Sequence, residues 1–218
     1  MSDVFNEVDE EIRQEQWKKL FHAYGGYVIG AVVSFVVVFA GSIAWSDYQA
    51  GQRQLESQRY VAAGEILSNG DAVYAAQLFG SLADQAGDGY GALARLREAD
   101  ALATAGDVTG AVATLDRLAD DGDADTAFRD LARLFAVYQL MDRAPRDELE
   151  ARLSPLMADG SAWRASAREL GGLIALRAGE TGRARELFTT IVEDTASPSS
   201  ARSRAAGMLA IIGGGEGG

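Results

Sequence analysis

The chain has no cysteine and a single histidine. The first absence removes disulfides, zinc fingers and thiol catalysis together, and is compatible with an oxidising compartment without requiring one. With only His22 available, neither a Ser-His-Asp nor a Cys-His arrangement can be assembled, and metal sites of the usual nitrogen and sulfur type fail equally. Basic residues are outnumbered, with 20 Lys and Arg against 32 Asp and Glu and a net charge of -12, and they form no run. Nucleic acid is excluded as a partner on that ground, since phosphate binding needs clustered Lys and Arg. Proline occurs three times, so little interrupts helices.

Two further patterns that could carry chemistry do not. Asp120, Asp121, Asp123 and Asp125 lack the ligand order, central glycine and terminal Glu of a calcium loop, and read as a solvated connection between helices. The run GGGEGG at 213–218 has no helix after it in the chain to make a phosphate loop and reads as a flexible tail. Arg143, Arg146 and Arg152 read as surface charges. No catalytic residue, metal, cofactor or small-molecule substrate is therefore expected, and the protein is read as a non-enzyme.

One long uncharged stretch is present. Residues 24–45 read YGGYVIGAVVSFVVVFAGSIAW, with no charge between His22 and Asp47. As a helix these residues extend roughly 33 Å, enough to cross a hydrocarbon core of about 30 Å. Tyr24 and Tyr27 lie at one edge and Trp45 and Tyr48 at the other, where amphipathic rings prefer the headgroup level. A cleaved signal peptide is the competing reading, with Ser42-Ile43-Ala44 as its small-residue site. It fits less well: the core is too long, and the leader carries six acids against Arg13, Lys18 and Lys19. The expectation is a single transmembrane helix. Lys18 and Lys19 flank its first end, while Asp47 comes first beyond the second, so the amino terminus is placed in the cytoplasm and the rest outside. In a bacterium that means the inner membrane, with the larger domain in the periplasm. Gly26, Gly30 and Ser34 recur every four residues and form a candidate helix-packing ridge. Residues 1–23, with Phe5, Val8, Ile12, Leu20 and Phe21 near one helical face, read as an amphipathic cytoplasmic tail.

After the span the chain repeats itself. Gly70-Asp71 is followed by Ala75 and Phe79, Gly106-Asp107 by Ala111 and Leu115, and Gly179-Glu180 by Ala184 and Phe188. Glycine ends one helix in a left-handed cap, the acid opens the next near its positive end, alanine permits close approach and the large residue fills the gap. The glycines are 36 and then 73 residues apart, one period and about two. The missing turn falls at Asp142 to Pro145, with Leu149 and Leu153 as its later apolar residues and Pro145 at a first helical position. Helices are predicted over 46–67, 90–104, 126–141 and 161–178. Ser197-Pro198 is read as an N-cap and first-turn proline of a closing helix to about residue 212. Periods in this range mean stacked helix pairs. The fold class is all-α: a transmembrane helix, then an α-solenoid of helical hairpins over 46–212. The first helices of the pairs would present Tyr60, Tyr90, Tyr138 and Trp163 as candidate protein-binding aromatics.

The leader DVFNEVDEEIRQEQWKKL, the repeat turns, and the closing run WRASARELGGLIALRAGETGRARELFTTIVED followed by SPSSARSRAAGML carry a resemblance. Together they resemble the YfgM-like family of single-span bacterial membrane proteins with a tetratricopeptide-like outer domain. The resemblance covers nearly the whole chain, although the full tetratricopeptide signature is not matched. It implies an ancillary subunit of the SecYEG translocon linked to periplasmic chaperones, and no catalytic residues to carry over. The other open reading is a structural accessory subunit of a different envelope complex, respiratory or outer-membrane-assembling.

Overall fold

Apolar residues three and four apart, punctuated by glycine and acid, build nine α-helices among the described residues. The computed structural model describes residues 3–214, without the side chains of residues 3–25, 28, 29, 32, 33 and 88. The helices are α1 (Asp3–Ser68), α2 (Ala72–Gln85), α3 (Asp88–Thr104), α4 (Val108–Ala119), α5 (Thr126–Leu140), α6 (Arg146–Leu153), α7 (Arg164–Arg177), α8 (Thr181–Glu193) and α9 (Ser199–Gly214). A short 3-10 turn, Ser154–Met157, follows α6. The chain divides into two units, the first ending at Leu55 and the second beginning at Glu56.

The first unit is the amino-terminal part of α1. Side chains of the expected cytoplasmic tail lie outside the described residues, as do those of Tyr24, Gly25, Val28, Ile29, Val32 and Val33 within the expected span. Among the described residues, no helix is long and apolar enough to cross a membrane. The described part of the stretch exposes Tyr27, Phe35, Val36, Val37, Val38, Phe39, Ile43 and Trp45. Gly26, Gly30 and Ser34 are exposed too, and a Cβ at either glycine would meet nothing within 4 Å.

In the second unit the three Gly-acid turns are built alike. Gly70, Gly106 and Gly179 have φ of 93°, 91° and 78°, a conformation that costs a residue with a Cβ 1–2 kcal/mol or so. At each turn the acid's backbone N–H reaches back five residues, from Asp71 to Ile66, Asp107 to Leu102 and Glu180 to Ala175, closing a Schellman motif. Asp71 and Asp107 then cap α2 and α4, accepting from the N–H groups of Tyr74 and Gly110 at 3.1 and 2.8 Å. Glu180 occupies the same position before α8 but makes no side-chain cap. Five positions on, Ala75, Ala111 and Ala184 are fully buried; nine positions on, so are Phe79, Leu115 and Phe188. The repeat register is thus met at all three turns. The degenerate turn differs: among the described residues none other than glycine has a positive φ, and Arg143 and Ala144 bond back to Leu140 instead. Leu149 and Leu153 are buried as expected. Pro145 stands one place before the helix, as its N-cap.

Two other readings are corrected. Ser197 does not cap the last helix; its buried hydroxyl donates to Asp194 Oδ2 at 3.0 Å. Asp194 also accepts from both guanidinium arms of Arg164 and from the Ala196 N–H, which hold its carboxyl well below the usual carboxylate range. A partly buried carboxylate with several donors is a better home for the serine hydroxyl than a helix end. Gly213 and Gly214 complete α9 and do not belong to a tail, while residues 215–218 lie outside the described set.

From α2 onward packing runs from each helix to the next, and also from α3 to α5, α5 to α7 and α7 to α9. Successive clusters join the end of α1 with α2 and α3, then α3 to α5, then α5 to α7, then α7 to α9. No hairpin could bury its apolar face alone. Ion pairs and hydrogen bonds between partners 34–36 residues apart link neighbouring hairpins: Arg152 with both oxygens of Asp116, Arg204 with Glu169, Arg177 with Asp142, Arg146 with Glu180, and the Trp163 indole N–H with the Ala127 carbonyl. Arg146 and Arg152 are therefore bridging residues. At their exposure these pairs add little to stability, and their main effect is on register.

Glu98 is one of the carboxylates outside this pairing. It lies on α3 opposite Gly80 of α2, where an added Cβ would come within 3.1 Å of its Oε1. Burial raises its pKa above 4.5, opposed by the charge of Arg117 and, less, of Arg95, and reinforced by that of Asp84. A carboxyl whose pKa rises on folding stabilises the protein fully only below its unfolded value, and loses that contribution as pH rises through the folded one. Glu98→Gln is expected to raise the melting temperature at pH 7 and to leave it nearly unchanged at pH 4. A lower melting temperature at pH 7 would mean that the Arg117 attraction outweighs burial.

Candidate protein-binding face

Helices α3, α5, α7 and α9 contact one another in succession and form one layer of the stack. Asp125 starts α5 by accepting the Ala127 N–H at 2.7 Å. The loop before it is not merely solvated, because Asp121 pairs with Arg95 of α3 at 2.5 Å. Leu134, Ala136 and Val137 of α5 turn into the core, whereas Phe135 and Tyr138 stand 41% and 66% exposed. They are three positions apart, hence neighbours on the helix surface.

A groove lies on each side of this aromatic pair. Between α5 and α7 a cavity of about 360 Å³ is lined by Leu134, Leu170, Leu173, Ser166 and Glu169 together with Phe135 and Tyr138. Between α3 and α5 a second, of about 290 Å³, is lined by Leu96, Ala99, Leu115, Arg97, Asp100 and Gln139 with the same two rings. Their charged residues are already engaged. Arg97 pairs with Asp100 at 3.1 Å, and its pKa is raised chiefly by a hydrogen bond with Tyr60. Both oxygens of Glu169 accept from Arg204 at 2.7 Å.

The four aromatics selected from the sequence fall in different surroundings. Tyr138 is on the exposed ridge. Tyr60 and Tyr90 are half-buried, their rings 6.1 Å apart, and Tyr60 meets Phe79 edge-on at 5.5 Å. Trp163 precedes α7 rather than lying in it, is half-buried, and donates its indole N–H to Ala127 at 3.1 Å. Phe135, three residues before Tyr138, belongs to the same exposed ridge and is not among the aromatics chosen from the sequence. Leu131, Leu134, Phe135 and Tyr138 stand at i, i+3, i+4 and i+7, the spacing of one ordinary core-facing stripe, so the sequence carries no signal that Phe135 is exposed. Among the described residues, no group of three or more His, Cys, Asp and Glu could hold a metal ion.

Stacked helical hairpins with an exposed aromatic ridge on their first-helix layer define a helical-repeat protein, a class built to present extended binding surfaces. The chain belongs to the tetratricopeptide repeat-like domain family, whose match covers residues 18–204. No curated protein and no solved structure matches it. The family assigns a protein-interaction role; the narrower YfgM-like resemblance goes beyond this match.

Proposed function

We propose that this protein is a non-catalytic, membrane-anchored protein-binding subunit. The observation that carries the binding role is the exposed Phe135 and Tyr138 pair between two apolar grooves. Aromatic anchors flanked by apolar pockets are where binding energy concentrates. Tyr60, Tyr90 and Trp163, half-buried, add edges to the same layer. The anchor is the stretch 24–45, supported by its uncharged sequence and by apolar side chains exposed around its described part; a helix apolar on all sides needs lipid or protein around it. Gly26, Gly30 and Ser34 form its packing ridge against a membrane partner. Lys18 and Lys19 put the amino terminus in the cytoplasm and the repeats in the periplasm. With the YfgM-like resemblance, the partners are the SecYEG translocon and periplasmic chaperones.

The test uses spheroplasts and mild detergent. A cysteine introduced at Ser68 or Ser154 should react with a membrane-impermeant thiol reagent, and one at Ser2 should not. Gly26→Leu with Gly30→Leu should deplete translocon subunits from the purified complex, and Tyr138→Ala should deplete soluble partners. The reverse labelling overturns the topology. Recovery of respiratory or outer-membrane-assembly subunits instead of the translocon reassigns the complex, and unchanged recovery with both variants rejects the division of labour.

A further inference from the structure

We infer that Met157 is an oxidation site of the folded protein, where hydrogen peroxide adds one oxygen to the thioether from a single side. The chain has no cysteine, so its methionines hold all of its sulfur, the atom that takes up oxygen from a peroxide. Met157 ends the 3-10 turn after α6 and lines a cavity of about 370 Å³ between that turn, α6, α7 and α8. Gly171 of α7 lines it too. A Cβ on that glycine would come within 2.5 Å of Met157 Cε and 4.0 Å of its Sδ, with Leu187 Cδ1 at 3.4 Å. The methyl group is thus seated in the room the glycine leaves, and the sulfur stands beside it at the cavity wall. Away from the cavity, Met157 packs against the cluster that joins α5 to α7. One lone pair of the sulfur therefore opens on space that a peroxide can enter, and the other faces the core. The cavity also suits the product, whose oxygen is a far stronger acceptor than the thioether and needs a donor. Ser154 stands three residues before Met157 in the 3-10 turn, a spacing at which side chains eclipse, and it shares the lining with Arg183. Arg183 uses Nη1 on Glu186 at 2.7 Å, and a guanidinium has five N–H groups to give. Met141 and Met208 are half-buried like Met157, but they pack on core clusters and line neither this cavity nor the grooves beside Phe135 and Tyr138. In the step itself the sulfur lone pair attacks one peroxide oxygen, the S–O bond forms and the O–O bond breaks. The proton of the transferred hydroxyl passes to the departing hydroxide, which leaves as water, so the sulfur is oxidised and the peroxide reduced.

The full chain in nanodiscs of saturated lipid should be treated with hydrogen peroxide and digested with trypsin, which leaves Met141, Met157 and Met208 in separate peptides. Mass spectrometry should show Met157 oxidised about fivefold faster than either of the others, with the ratio falling to about one in urea. Ser154→Leu, which fills the cavity from an exposed position, should slow Met157 about fivefold and leave the other two methionines unchanged. The sulfoxide peptide should then be offered to two reductases, each specific for one epimer. One of them should reduce nearly all of the peptide from the folded protein, and each about half of the peptide oxidised in urea. Equal rates at the three methionines in the folded chain overturn the site. A preference for Met157 that survives in urea, or an unchanged rate in Ser154→Leu, shows reactivity set by local sequence and overturns the role of the cavity. Equal reduction by the two enzymes overturns attack from a single side.

Discussion

Phe188→Ala is expected to cost about 3–5 kcal/mol, a large share of the roughly 5–15 kcal/mol that holds a domain together. Phe188 is fully buried and belongs to the cluster that joins α7, α8 and α9. It stands nine positions after Gly179, so the turn and the spacing both deliver its ring to the centre of the last hairpin. Ala165, Ala175, Ala184 and Ala205 of this cluster have no side-chain reach, so only its longer members, such as Ile191 and Met208, could move toward the hole. Since interactions in a stack are between neighbours, the loss should be local. Hydrogen exchange should accelerate across α7–α9 and change little in α2–α4. Uniform acceleration throughout would show a single cooperative unit, and an unchanged urea midpoint would remove Phe188 from the core.

Gly172→Leu should be nearly as damaging, about 3 kcal/mol, for the opposite reason. A Cβ at Gly172 would sit 2.7 Å from Phe188 Cζ, with the rest of the ring close behind. Glycine ordinarily lowers helix stability by about 1 kcal/mol relative to alanine, so its place inside α7 marks a contact that needs the missing side chain. Overpacking a filled core typically costs about 1–3 kcal/mol, and a leucine here meets a ring with no free space to move into. Combining it with Phe188→Ala gives the diagnostic result: the double variant should be more stable than the sum of the single effects, because the leucine partly fills the cavity. Strict additivity in urea denaturation would show that the two positions do not touch.

The turns were legible because their requirement is absolute. A positive φ admits glycine and little else, and the acid beside it answers a fixed electrostatic need, so Gly70, Gly106 and Gly179 betrayed both helix ends and the register of Ala75, Ala111 and Ala184. Pro145 and Ser197 were misread by a position or a partner, since several residues can satisfy a helix start. Gly172 was opaque for another reason: nothing local distinguishes a glycine that admits a ring from one that merely weakens a helix. The same holds for Arg152 and Asp116, whose bond is visible only once the period is laid into space. Phe135 stands at a spacing that fits a core-facing stripe, and only the positions of the neighbouring helices reveal it as part of a ridge. The apolar run at 24–45 was the plainest signal in the chain, and several of its residues lie outside the described side chains.

A stack joined by neighbour contacts also has a mechanical character. Pulled from its ends, it should not give way all at once but release one hairpin after another, each lengthening the chain by roughly 100 Å for its 35 or so residues. The bonds between partners 34–36 residues apart act across successive hairpins, so each is a separate latch. At the far end the α7–α9 latch is the Arg204 and Glu169 pair, beside the Asp194 cluster that holds Arg164.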